Sequence, residues 1–403
     1  MTAPAADTAR SSEFRTAIYY FTAFMSGGAA TTYAGIWFTG KGLTPGQIGV
    51  INAVPVFVML VLNLVVGRIA DRASDWRQTI VLGSIVSALF PIGLFFVHDF
   101  WGILLFWSLG MIAAQAIVPV ADAAAMRLTR RRGTDFGAIR AWASIGFMLV
   151  LVATGYLVVW LGPAVFLPLY VGLGLLRGAT ALGLPHFRSP QNERAPPVGA
   201  TRLREVVKPW FVLPLFGWSM VYSTHLVLNA FQALLWKEQG IPADIIGILI
   251  AVGVVAETAM FFAFKRFFAG RFTARHLILI SAIVTVVRWV AMGFSPGVPV
   301  LFGLQLLHSV TYALGFLGCL NFIANWTSED IAAEAQSFFV VIQQGLAVLA
   351  FIAFGWLVAG WGAHAYFASA SFAAAGGVLI WVSIRLKQPK AAPGFAAAAG
   401  DTP

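Results

Sequence analysis

Long apolar stretches without charged residues recur along the whole chain, and they restrict its fold more than any other feature. Only 10% of the 403 residues are charged, whereas soluble domains have about 25%. A run of roughly 18 or more apolar residues is typical of a helix that crosses a bilayer. Such runs are centred near Phe24, Phe57, Val86, Met111, Phe147, Gly172, Tyr222, Val254, Ile283, Tyr312, Ala347 and Phe372.

These runs predict helices, because the strands of a membrane barrel alternate polar and apolar residues in blocks of about ten. The sequence therefore predicts an all-α integral membrane protein with twelve transmembrane helices, which we number as spans 1 to 12. A polar segment at residues 186–208, which contains Pro196 and Pro197, separates six spans from six.

The predicted organisation has four parts. Residues 1–185 form one six-helix bundle, 186–208 a cytoplasmic linker, 209–388 a second six-helix bundle and 389–403 a disordered tail. The loops GLTPGQIGV (42–50) and GIPADIIGI (240–248) occupy equivalent places in the two halves. Repeated halves of this kind are typical of secondary transporters, with a binding site near the membrane midplane.

Basic residues are concentrated on one side of the predicted spans. Both termini and loops 2–3, 4–5, 6–7, 8–9 and 10–11 fall on that side, whereas the other side has only Lys41 and Lys237. Basic loops face the cytoplasm, so we expect a multi-pass protein of the cell (inner) membrane with both termini cytoplasmic. The net charge of +10 is thereby explained without a nucleic-acid partner.

Few ionisable residues lie inside the spans, and each needs a partner or a water-filled cavity because a charge in the bilayer is costly. Asp122 and Arg140 lie about 7 Å inside neighbouring spans 4 and 5, so we expect them to pair. Glu257 and Arg288 lie about 12 and 18 Å deep. With His308 of span 10, they are expected to converge in the middle of the membrane.

Polar side chains at helical spacing form one face of span 7, which we interpret as a cavity wall. The alternative is hydrogen bonding between packed helices. This face consists of Trp218, Tyr222, His225, Asn229 and Gln232. Other spans add Gln115, Ser144, Gln305 and Tyr312.

Several further residues inside the spans are given a lesser role. Arg177 of span 6 is close to the cytoplasmic end, so we interpret it as structural or as reaching the membrane surface. Weaker candidates for the cavity wall are Tyr19, Tyr20, Trp142 and Trp289.

The segment GRIADRASDWR (67–77) between spans 2 and 3 resembles the loop motif G-x-L-A-D-R-x-G-R-K/R of the major facilitator superfamily. The matching residues are Gly67, Ala70, Asp71 and Arg72, and the departures are Ile69, Ser74 and Asp75. The resemblance implies a cytoplasmic gate at Gly67, Asp71 and Arg72. The alternative is that the nearby arginines only orient the protein in the membrane.

The intramembrane charges resemble those of the lactose-permease type of proton symporter. The segments DFGAIRAWASIGF (135–147), VVRWVAMG (286–293) and LQLLHSVTYALGF (304–316) resemble the phenylpropionate-permease family more closely. The resemblance implies that Asp122 and Arg140 contact the substrate.

For Glu257, Arg288 and His308, the resemblance implies a network that couples proton and substrate. Thr311 stands where lactose permease has its proton-carrying glutamate, which leaves Glu257 and Asp122 as the candidate proton carriers. Glu257 is favoured because it lies deeper in the membrane. The alternative is that Glu257 and Arg288 form a permanent structural pair, which would make the protein a uniporter.

The sequence thus predicts proton-coupled symport of a small organic solute by alternating access. An aromatic or other organic carboxylate is favoured, because arginine offers a planar fork to a carboxylate. Sugar or nucleoside symport, drug or metabolite efflux by antiport, and a non-transporting membrane sensor are the alternatives. We expect a monomer that is not an enzyme, has no metal or cofactor, and has the substrate, protons and the bilayer as its partners.

Overall fold

A computed structural model describes residues 4–72, 76–187, 207–268, 271–327 and 329–386, and helices make up most of them. In some stretches of helix, including residues 4–11, 63–72 and 329–334, only the backbone is described. The helices before the predicted linker are α1 (Pro4–Ala23), α2 (Met25–Gly40), α3 (Pro45–Arg72), α4 (Trp76–Leu89), α5 (Phe100–Arg132), α6 (Phe136–Leu161) and α7 (Phe166–Leu182). Those after it are α8 (Pro209–Glu238), α9 (Ala243–Phe267), α10 (Ala274–Gly293), α11 (Val298–Leu306), α12 (Gly315–Trp326), α13 (Glu329–Trp361) and α14 (Ala365–Arg385).

Ten stretches of the described residues are long and apolar enough to cross a membrane. One of them, Ala335–Arg385, contains two helices joined by a short turn at Gly362–His364. Predicted span 1 differs from expectation, because it is divided at Phe24 into α1 and α2. The helical membrane fold is confirmed, while the count of twelve spans and the location of the termini stay predictions.

The chain divides into two compact units. The first unit comprises Met1–Glu193 with Trp236–Ile248, and the second comprises Arg194–Leu235 with Leu249–Pro403. Most of the predicted linker, at 188–206, and the predicted tail at 389–403 lie outside the described residues. The predicted domain boundaries therefore stay a prediction.

A tight turn in the first unit joins α5 to α6 and places their polar residues side by side. Gly133 ends α5 with φ +66°, a left-handed conformation that favours glycine. Asp135 caps α6, because its carboxylate accepts a hydrogen bond from the Gly137 amide at 2.8 Å. Asp122 and Arg140 consequently lie on antiparallel neighbouring helices.

Helix α6 also packs closely against α1 and α2. A Cβ atom added at Gly146 would lie 1.9 Å from the carbonyl oxygen of Phe21, so only glycine fits this contact. Small residues let membrane helices approach closely enough for their side chains to interact. This approach brings Tyr20 of α1 to Arg140 of α6.

In the second unit, α10 packs against α12 and α14. The chain between α11 and α12 forms a π-helical turn at Ser309–Leu314, a geometry found often at functional sites. The carbonyl of Thr311, inside this turn, accepts a hydrogen bond from the Ser281 hydroxyl of α10 at 2.9 Å. The hydroxyl satisfies a backbone oxygen that lies within the membrane-spanning segment.

Candidate functional site

Among the described residues, each unit has a cluster of polar side chains in which an acid and an arginine of the predicted spans lie close together. The Asp122 cluster, in the first unit, consists of Tyr20, Asp122 and Arg140. The Glu257 cluster, in the second unit, consists of Glu257, Arg288 and His308.

The acid and the base of the Asp122 cluster contact each other directly. The Arg140 Nε lies 3.5 Å from Asp122 Oδ1, and the Tyr20 hydroxyl donates to the same oxygen at 2.6 Å. The Arg140 guanidinium also lies over the ring of Phe24, 4.5 Å from its centroid. Aromatic faces attract cations, so the arginine is held from two sides.

A cavity adjoins this cluster within the first unit, with a water-accessible volume of about 160 Å³. Tyr19, Tyr20, Phe24 and Tyr170 contribute its aromatic wall, and predicted Gln115 lines it as well. Predicted Ser144 does not line the cavity and is exposed.

The cavity wall also includes Arg177, which the sequence did not single out as a site residue. The side chain is only 5% exposed and donates a hydrogen bond to the Ser87 hydroxyl. It therefore does not extend to the membrane surface, which was one of the two interpretations of its position in the sequence.

In the Glu257 cluster, Arg288 is fully buried and contacts three uncharged acceptors. Its Nη1 donates to His308 Nδ1 and to the Thr311 hydroxyl, both at 3.0 Å, and its Nη2 lies 2.5 Å from Gln305 Oε1. Gln305 in turn donates to the Leu249 carbonyl at 2.9 Å, which fixes the direction of the amide. Gln305, predicted to form part of a cavity wall, accepts the hydrogen bond from Arg288 Nη2 and so holds the arginine in place.

The contact between Arg288 and His308 determines where the histidine carries its proton. Arginine has no acceptor, so His308 Nδ1 must be the acceptor in this pair. A neutral imidazole then carries its proton on Nε2, which lies 3.4 Å from Glu257 Oε2. The acid and the base of this cluster are thus joined through the histidine.

Aromatic side chains surround His308. The ring of Tyr312 stacks on it at 5.2 Å with an interplanar angle of 8°, and the His225 ring lies 5.6 Å away. His225 Nδ1 contacts the Val221 carbonyl at 3.0 Å, while its Nε2 is buried without a hydrogen-bond partner among the described residues. Tyr222 reaches the same group through Tyr312.

The other predicted residues of span 7 are distributed differently. Trp218 and Gln232 are buried in α8, while Asn229 is exposed. The predicted cytoplasmic gate consists of Gly67, Asp71 and Arg72. These residues occupy the last turns of α3, and the side chains of those turns lie outside the described part of the chain.

Comparisons with known proteins extend over most of the sequence. The profile of the MFS_1 like family matches residues 14–372. The probable 3-phenylpropionic acid transporter of Escherichia coli (strain K12) is 30% identical over 348 residues, which are 83% of this chain and 88% of that protein. The maltose permease of Geobacillus stearothermophilus is 24% identical, over 90% of this chain and 92% of its own length.

Among solved structures, that of the nucleoside transporter NupG aligns with a TM-score of 0.82 and 16% identity, covering 93% of this chain and 99% of that chain. At this identity the alignment shows the likeness of the fold alone. The family profile and the E. coli relative confirm the resemblance inferred from residues 67–77 and from the intramembrane charges. The chain belongs to the MFS_1-like family, within the major facilitator superfamily of transporters.

Proposed function

We propose that the protein is a secondary active symporter that couples the uptake of a small organic carboxylate to the movement of protons. Two six-helix bundles would expose the site to each side of the cell (inner) membrane in turn. The proton gradient would supply the driving force, with no cofactor. This proposal joins the family membership to the chemistry of the two polar clusters.

The connection from Glu257 through His308 to Arg288 is the observation that carries the proposal. A carboxylate and an arginine buried in the membrane and placed in direct contact would form a permanent pair. Here a neutral ring separates them, so the carboxylate can gain or lose a proton while Arg288 keeps its hydrogen bonds. The geometry suits a residue that is protonated and deprotonated during transport.

Glu257 is the proton carrier that this geometry favours. If His308 took up a second proton, its Nδ1 would become a donor and face a guanidinium that only donates. Glu257 has no such conflict, because a protonated carboxyl group still accepts a hydrogen bond from His308. Protonation of Glu257 leaves the positive charge of Arg288 without a negative counterpart in the cluster, so an anionic substrate would bind more favourably.

A carboxylate is the favoured substrate because arginine binds this group in a planar, two-point geometry. The name of the E. coli relative, a probable 3-phenylpropionic acid transporter, points to the same chemical class. The maltose permease among the relatives makes a sugar the second candidate substrate. The candidate contacts in the first unit are those of the Asp122 cluster, and the candidates in the second unit are Tyr222, His225 and Tyr312.

The decisive experiment uses the purified protein in proteoliposomes, with 3-phenylpropionate and maltose as alternative test substrates. Symport predicts that the preferred substrate enters faster under an inward proton gradient and that its addition alkalinises the external medium. Glu257→Gln should abolish the alkalinisation, because an amide cannot take up the proton, while exchange of labelled for unlabelled substrate continues.

The matched control is Glu238→Gln, which makes the same change at the exposed end of α8. This variant should alkalinise the medium like the unmodified protein. If Glu257→Gln also did so, Glu257 would not carry the proton. Uptake that ignores the proton gradient in the unmodified protein would contradict symport itself.

A further inference from the structure

We propose that Arg177 of α7 anchors the carboxylate of the substrate, in the cavity of the first unit. This inference rests on the proposed function, in which the substrate is an organic carboxylate. It assigns the anchoring contact to a residue outside both polar clusters.

Arg177 is a buried cation with hydrogen-bonding capacity to spare. Its Nη2 donates to the Ser87 hydroxyl, while its Nε has no acceptor among the described residues. No described carboxylate forms an ion pair with it. A buried charge without a counter-ion is costly, so this arrangement favours the entry of an anion.

The other two intramembrane arginines are already engaged. Arg140 contacts the carboxylate of Asp122, and a substrate would have to compete with that acid. The Nε of Arg288 also has no acceptor among the described residues, but its Nη atoms donate to three acceptors on its own unit. Arg177, by contrast, lies in the wall of a cavity and donates to one hydroxyl. Of the three, it is the arginine best placed to receive an added carboxylate.

The cavity next to Arg177 matches the rest of an aromatic acid. Its wall includes the rings of Tyr19, Phe24 and Tyr170 and the thioether of Met111. A volume of about 160 Å³ is close to that of the apolar protein cavities of about 150 Å³ that hold benzene. A compact ring linked to one carboxylate is the substrate class that this combination would accept.

Tyr170 offers a second donor to the same carboxylate. Among the described residues, its hydroxyl donates only to the sulfur of Met111, at 3.9 Å, and a thioether is a weak acceptor. Exchanging that contact for a carboxylate oxygen would strengthen the hydrogen bond, because bonds to ionised groups are the stronger kind. Tyr20 is less free, since its hydroxyl already donates to Asp122.

The test measures equilibrium binding to the full-length protein in nanodiscs, with two matched pairs of probes. The pairs are 3-phenylpropionate with 3-phenylpropan-1-ol, and benzoate with benzyl alcohol. Arg177→Gln should weaken binding of the acids by about 10- to 100-fold and leave binding of the alcohols unchanged, because only the acids use the positive charge. Tyr170→Phe should weaken binding of the acids by about 3- to 10-fold.

Arg271→Gln is the matched control, since it removes the same charge from the exposed turn before α10. It should bind all four probes like the unmodified protein. Unchanged alcohol binding also shows that Arg177→Gln is folded. If Arg177→Gln fails to fold, Tyr170→Phe decides, because it keeps the buried charge.

The outcomes separate this inference from the proposed function. If the unmodified protein binds neither acid, the proposed substrate class is wrong and the inference falls with it. If it prefers the acids and Arg177→Gln keeps that preference, the proposed function stands and Arg177 is not the anchor. Where Tyr170→Phe is the deciding variant, unchanged acid binding overturns the inference.

Discussion

Both polar clusters contain an acid and an arginine inside the membrane, but the two clusters arrange these charges differently. Asp122 and Arg140 touch each other, and their side chains keep 28% and 33% of their surface exposed. Glu257 and Arg288 are separated by His308, and Arg288 is fully buried. A direct ion pair keeps both groups ionised, whereas an intervening neutral ring lets the acid gain and lose a proton.

Replacing the arginine of each cluster should give the largest contrast. Arg288→Gln removes the donor to three buried acceptors, and each buried acceptor left unsatisfied costs about 1–3 kcal/mol. Arg140→Gln disrupts a pair whose side chains are only partly buried, and Tyr20 still donates to Asp122 in the variant, so the loss should be smaller. We expect the first variant to lose thermal stability and substrate exchange, and the second to keep its stability.

Thermal unfolding in detergent and exchange in proteoliposomes would measure both effects. Equal losses of stability in the two variants would show that the two arginines contribute equally to stability despite their different burial.

Two substitutions of His308 should separate a bridge from a proton carrier. Glutamine can accept from Arg288 and donate to Glu257 at the same time, so His308→Gln should keep proton coupling with a rate within about tenfold of the original. Leucine can do neither, so His308→Leu should lose coupling. Substrate-dependent alkalinisation measures both variants. Loss of coupling in His308→Gln would identify the histidine itself as the proton carrier.

The smallest effect is expected for Tyr20→Phe, which removes one of the two contacts to Asp122 Oδ1. Transport should fall by about 3- to 10-fold, because Arg140 still faces the carboxylate. Tyr33→Phe is the control, since it deletes a hydroxyl from a buried ring of the same unit that packs on Phe166. Initial uptake rates would compare the two. An equal decrease in Tyr33→Phe would show that the hydrogen bond to Asp122 contributes no more to transport than another buried hydroxyl.

The sequence was sufficient for the features that depend on hydrophobicity and on depth in the membrane. Apolar runs indicate helices whatever the details of their packing. Counting residues from the ends of the spans predicts the same depth in the membrane for Asp122 and Arg140, and the structure places the two side chains in contact. The same count predicts that Glu257, Arg288 and His308 converge in the middle of the membrane, and the structure places His308 in contact with both of the others.

Other features depend on packing that residue spacing does not report. The break at Phe24 and the π-helical turn at Ser309–Leu314 depart from the regular 3.6-residue period of an α-helix, and spacing in the sequence does not reveal such departures. Arg177 was assessed by its distance from the cytoplasmic end of its helix. Its surroundings depend on Ser87 and Tyr19, which are far away in sequence.

The π-helical turn has a consequence for transplanting this chemistry into another helical membrane protein. Three residues would be easy to copy, namely Glu257, Arg288 and His308. The position of His308 beside Arg288, however, depends on a turn whose Thr311 carbonyl accepts hydrogen bonds from two uncharged hydroxyls, those of Ser281 and Thr285. A recipient with alanine at both positions would leave this buried oxygen without a hydroxyl donor, and the copied residues would lose their arrangement.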